Sequence, residues 1–116
     1  MARRVLFVID SDPRVSARPA EAIRIAAGLS AWRTIEVLVY LRGAAVLMLD
    51  PAADALVDGE NFIRYLPLLA ERGLPVRVQR DAPAAAGLSE PAAPYEAIDN
   101  VALAALLASC HSTVRF

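Results

Sequence analysis

The chain has 116 residues, 57% of them hydrophobic and 22% charged, with a formal net charge of −1 and a single cysteine. That length holds one domain and not two, and that composition excludes a disordered chain. The near-zero charge supplies no general field for nucleic acid or an anionic membrane, and one cysteine cannot close an internal disulfide, which points to a reducing cytoplasm.

The first element is "RRVLFVID", a run of β-branched and aromatic residues ending in Asp10-Ser11-Asp12-Pro13, which reads as a buried strand entering a turn. Its apolar run, Val5 to Ile9, is too short for a signal-peptide core, and no stretch reaches the ~20 apolar residues of a membrane span. "SARPAEAIRIAAGLSAW" reads as a helix with Ser16 as N-cap and Pro19 in the first turn. Ala20, Ile23, Ala27 and Trp32 form its apolar face, opposite Arg18, Glu21, Arg24 and Gly28.

"TIEVLVYL" (34–41) is a second strand, broken by Arg42-Gly43. "AAVLMLD" follows as a short helix that ends near Asp50-Pro51, and Asp58-Gly59 marks a loop. "NFIRYLPLLAERG" reads as a helix stopped by Gly73, with Pro67 either shortening or kinking it. "LPVRVQ" (74–79) is the third strand. Residues 81–94 hold three prolines and are expected to be mainly loop. "YEAIDNVALAALLASC" reads as a largely buried helix, and "STVRF" as the closing strand. Near-continuous apolar strands alternating with helices argue for one flavodoxin-like, doubly wound α/β domain over residues 1–116. Its sheet is expected to be mainly parallel, with four to five strands and helices on both faces.

In such a sheet ligands collect outside the carboxyl ends of the strands. The candidate rim is therefore Asp10, Ser11 and Asp12 after the first strand, Arg42 and Gly43 after the second, and Gln79 and Arg80 after the third. Arg42 and Arg80, with Arg14 and Arg18, are positioned to converge on a small anion. The bland reading is that these arginines are solvated and that Asp10 and Asp12 cap a turn. All twelve basic residues are arginine, so lysine chemistry is excluded: no Schiff base, no phosphate-loop lysine and no receiver-type site on the paired aspartates. One histidine and one cysteine cannot build a His/Cys metal site, and neither a metal nor a cofactor is expected.

Cys110 and His111 are adjacent, which suggests a nucleophile with its base. They precede the last strand, however, and so belong to the amino-end rim, away from the candidate site. The expected roles are a small buried hydrophobe for Cys110 and a favourable helix-dipole contact for charged His111. The bulky segment Val46–Leu49 is expected to pack in the core or to serve a subunit interface.

Taken together, "RVLFVIDSDP", "RPAEAIRIAAGLS", "IEVLVYLRGAAVLML", "YLPLLAERGLPVRVQ" and "ALLASCHSTVRF" resemble the DsrE/DsrF-like family, which includes Tus-type sulfur-relay subunits. The resemblance spans almost the whole chain. It implies a roughly five-stranded sheet and assembly with copies of itself or with related DsrE-like subunits. It also implies, in sulfur-carrying members, a persulfide-forming cysteine just past the strand matched by "LPVRVQ". Here Gln79-Arg80-Asp81 stands at that place, and no cysteine occurs from 74 to 94. The expected function is therefore a non-catalytic subunit or a binder of a small anion or small molecule, with no nucleic acid or membrane partner. The alternatives are a sulfurtransferase that uses Cys110, and a purely structural, oligomerising protein.

Overall fold

Side-chain alternation assigns the layers. In β1 (Arg3–Ile9) and β2 (Ile35–Leu41) successive side chains point to opposite faces of the sheet. Phe7, Ile9, Val37, Val39 and Leu41 enter one core, whereas Leu6, Leu38 and Tyr40 enter a second, smaller one on the other face. Strands apolar on both faces must be covered on both, and that requirement selects a parallel sheet flanked by helices.

The computed structural model describes residues 2–72, 75–88 and 90–116. It contains a five-stranded sheet in the order β4-β3-β2-β1-β5, with every pairing parallel. β3 is Val76–Gln79, β4 Tyr95–Ile98 and β5 Ser112–Arg115. The helices are α1 (Arg18–Leu29), α2 (Glu60–Glu71), α3 (Pro83–Ala86) and α4 (Asn100–Ser109). The steps from β1 to β4 all run one way across the sheet, so right-handed crossovers place α1, α2 and α3 on one face. The return from β4 to β5 runs back across it and places α4 on the other. The α/β doubly wound expectation holds.

Several local expectations need correction. Residues 95–98 are a strand, β4, and not the start of a helix. Pro94 biases the backbone before it toward extended geometry, and pairing Val76–Gln79 with Tyr95–Ile98 outweighs the weak helical preference of "YEAI". The helix starts only at Asn100, where Asp99 Oδ1 accepts from the Ala102 N–H at 2.9 Å. α4 is also not buried: none of its residues is, and only Leu103, Leu106 and the following Cys110 pack on the second core.

The segment "GAAVLML" (Gly43–Leu49) is a 3₁₀ helix whose Ala45, Val46, Met48 and Leu49 are fully buried. The expectation of core packing thus describes four of these residues, while Leu47 is half-buried. Ser16 sits one position ahead of the α1 N-cap, Ala17, although its Oγ still accepts from the Arg18 N–H at 3.1 Å. Trp32 lies beyond α1 and is 64% exposed, so it is no part of the helix's apolar face.

α2 runs through Pro67, which is exposed. The carbonyl that loses its partner there belongs to Ile63, itself on the solvent side, where water can satisfy it. Gly73, the expected terminator, lies outside the described residues. Gly59 enters α2 because nothing larger fits: a Cβ there would press on the carbonyl oxygens of Ala53 and Asp54. No described helix is long and apolar enough to cross a membrane.

Candidate functional site

Asp10, Ser11 and Asp12 after β1, Arg42 and Gly43 after β2, and Gln79 and Arg80 after β3 all lie at the carboxyl ends of adjacent parallel strands. The sheet thus brings them to one rim, and their local chemistry can be followed residue by residue.

The β1 end is closed by the chain itself. Phe116 O accepts from the N–H groups of Asp10 and Ser11 at 3.0 and 3.3 Å, and the Ser11 hydroxyl donates to the same oxygen at 3.2 Å. The Phe116 ring stacks on Phe7 with centroids 5.8 Å apart, and the Arg18 guanidinium covers its other side. Asp10 takes two hydrogen bonds from Arg115. That contact holds the Arg115 guanidinium above its ordinary value, chiefly through the hydrogen bond itself.

Asp12 folds back on its own loop. Its Oδ1 accepts from the Arg14 N–H at 2.9 Å, and both carboxylate oxygens meet the Arg14 guanidinium. The side-chain hydrogen bond first, and the backbone one second, hold its carboxyl below the usual range. The turn-capping reading describes this loop. Arg80 donates to Ala97 O at 3.3 Å and lies 3.9 Å from Asp99. Arg18 donates to Arg115 O. Arg14, Arg18 and Arg80 are therefore each engaged locally and do not converge on a shared point. Arg42 is exposed, with no ion pair among the described residues.

Gln79 and Gly43 are joined. Gln79 Oε1 accepts from the Gly43 N–H at 2.9 Å, and Gly43 holds φ +58, the left-handed conformation that glycine adopts without strain. This bond ties β3 to the loop after β2. Beside it lies a cleft of about 420 Å³ lined by Arg14, Gly43, Ala44, Leu47, Pro83 and Ala84, mostly apolar in character. Pro83 and Ala84 belong to the stretch expected as loop, so part of that stretch forms the cleft wall as the short helix α3.

Sequence reasoning missed Tyr40. It is 1% exposed on the α4 side of β2, two residues before Arg42. Burial raises its phenol above the ordinary 10.0, with Arg42 opposing and Asp81 reinforcing the shift. The unfolded chain therefore releases this proton at lower pH than the folded one. Stability contributed by neutral Tyr40 is complete below pH about 10 and is lost as pH rises through the folded value. Urea titrations from pH 8 to 11 should show wild-type stability falling at the alkaline end, with a shallower fall in Tyr40→Phe. Parallel curves for the two proteins would rule this out.

Cys110 and His111 lie at the opposite rim. His111 exchanges hydrogen bonds with the backbone of Arg4 at the start of β1: its N–H donates to Arg4 O at 2.8 Å, and its Nδ1 accepts from the Arg4 N–H at 2.9 Å. These two hydrogen bonds anchor the start of β5 to β1 and turn the imidazole toward the Arg4 backbone. Cys110 Sγ has the Ser109 hydroxyl at 4.0 Å and packs on the second core. The pair does not form a nucleophile and base. Among the described residues no three His, Cys, Asp or Glu side chains gather closely enough to hold a metal ion.

No protein-family model matches the chain, and no curated protein is similar to it at a significant level. Among solved structures, the crystal structure of the ychN protein from E. coli superposes with a TM-score of 0.83. The match is at 19% identity and covers 98% of this chain and 99% of that one. That neighbour has the DsrE/DsrF-like fold, so the fold implied by the resemblance in the sequence is matched by the architecture. The likeness is one of fold.

Proposed function

We propose that this protein is a non-catalytic subunit of DsrE-like type, which works by holding a small molecule and by assembling with other subunits, not by carrying sulfur. The observation that supports this reading is the Gln79–Gly43 hydrogen bond, which stands where a persulfide would have to form while the single thiol lies at the other end of the sheet. A glutamine amide offers no sulfur nucleophile, and no neighbouring side chain on that rim supplies one.

The cleft beside this bond favours a small ligand with a substantial apolar part. Arg14, the cation that lines the cleft, is already compensated by Asp12. Rim acids partner three of the five arginines here (Arg14, Arg80 and Arg115), so a purely anionic ligand fits less well than a mixed one. The assembly half of the reading is supported by α4, whose ten residues carry no charge and leave Val101 80% exposed.

Incubation with a persulfide donor followed by intact-mass measurement tests the non-catalytic reading. The expected spectrum shows no stable gain of about 32 Da, the mass of the one sulfur atom that a persulfide adds to a thiol. A gain of that size, absent in Cys110→Ala, would reinstate the sulfurtransferase.

A further inference from the structure

The amino-end rim, opposite the candidate site, carries its own constellation. Trp32, the only tryptophan, stands 64% exposed just beyond α1. Next to it are Arg33 and Arg3, both exposed and without an ion pair among the described residues. Two hollows of about 320 and 520 Å³ run along this edge. The first is bordered by Trp32, Arg33, Arg72 and the acidic Glu36, and the second by Arg3 and His111. Ala2 and Ile35 line both, so they form one trough with an apolar floor.

Charge on this rim is asymmetric. Among the described residues, Arg3, Arg4, Arg33 and Arg72 form one ion pair between them, Arg4 with Glu36 at 3.5 Å. Arg72 is held by the last turn of α1, donating to Ala27 O at 2.9 Å and to the Ser30 hydroxyl. His111, whose Nδ1 accepts from the Arg4 N–H, lines the far end of the trough.

We propose that this trough docks an acidic peptide segment of a partner protein, with an apolar side chain seated between Trp32 and Ile35 and its carboxylates on Arg33 and Arg3. Three observations select that occupant. The trough is open and elongated, whereas a small-molecule site encloses most of its ligand. It crosses the ends of three adjacent strands, β5, β1 and β2, about 10 Å at ~4.8 Å between strands, which suits about three extended residues at ~3.3 Å each, and it continues to Trp32. The free cations are guanidinium forks, which match carboxylates in a bidentate manner. A single aromatic residue favours a peptide over single-stranded nucleic acid, which uses successive stacking platforms.

Trp32 is its own probe. The six-residue peptide acetyl-Glu-Leu-Glu-Glu-Leu-Glu-amide should give a saturable blue shift of tryptophan emission that weakens as salt is raised. The Arg3→Glu/Arg33→Glu double variant should bind about tenfold more weakly or worse, while its far-UV circular dichroism stays unchanged because both side chains are exposed. The same peptide with Gln for every Glu should not bind. Any of three results would overturn the proposal: no shift with the acidic peptide, equal binding by the double variant, or a response to an oligothymidine strand but not to the peptide.

Discussion

Replacing Phe7 by alanine is expected to destabilise the protein by about 3–5 kcal/mol, the range for emptying an aromatic site in a close-packed core. Phe7 is 1% exposed on β1, which pairs with β2 on one side and β5 on the other. Its ring lies in the principal core and stacks, with an interplanar angle of 7°, on Phe116. Removing it opens a cavity and also releases the ring that closes the carboxyl end of β1. At ~4 °C per kcal/mol for a domain of this size, the melting temperature should fall by ~12 °C or more. Urea unfolding would show the same loss as a lower midpoint with an unchanged slope. Val114→Ala, at the exposed edge strand, should stay within ~0.5 kcal/mol. A Phe7→Ala loss below ~1 kcal/mol would mean that the Phe7–Phe116 stack is not a structural element.

The second large effect is expected on assembly. A helix apolar on all sides is at home only when it is covered on all sides. α4 meets that pattern in sequence, with Val101, Leu103, Leu106, Leu107 and four alanines in ten residues, yet none of these is buried within one chain. Leu103 and Leu106 turn toward the sheet, while Val101 and the alanines face outward. A small-residue surface lets another element approach closely, and a stable protein–protein interface needs roughly 800 Å² from each partner. In sedimentation at several concentrations the wild-type protein should therefore run as a dimer or larger species, and Val101→Glu should run as a monomer with unchanged far-UV circular dichroism. A wild-type protein that is monomeric throughout would remove the assembly half of the proposed function and leave the small-ligand half standing.

Much of the fold was legible because its signals are local. β1 and β2 are apolar on both faces, and such strands call for two covering layers whatever follows them. Punctuation near 42–43, 58–59 and 80–81 marked the ends of elements correctly because turn chemistry acts over two to four residues. β4 escaped because four residues reading "YEAI" carry no period long enough to recognise. Two signals were nonetheless present: Pro94 before it, and Asp99-Asn100 as a helix start immediately after it.

The site was legible in position but not in state. Strand ends can be counted along the chain, and counting them was enough to place Asp10, Arg42 and Arg80 on one rim and Cys110 on the other. Which arginine is free depends on partners far away in sequence. Asp10 meets Arg115 across 105 residues, and Gln79 meets Gly43 across 36. No spacing rule reaches that distance.

The sequence by itself determined the layered parallel sheet, the rim at which a ligand could gather, and the lack of a sulfur nucleophile on that rim, since hydrophobic periodicity and residue identity are properties of the chain. Only the tertiary structure decided that Val46, Met48 and Leu49 are interior, that α4 and Trp32 are surface, and that most rim arginines are already neutralised. Burial and charge pairing are relations between segments, set when the sheet orders its strands, and no single segment carries them.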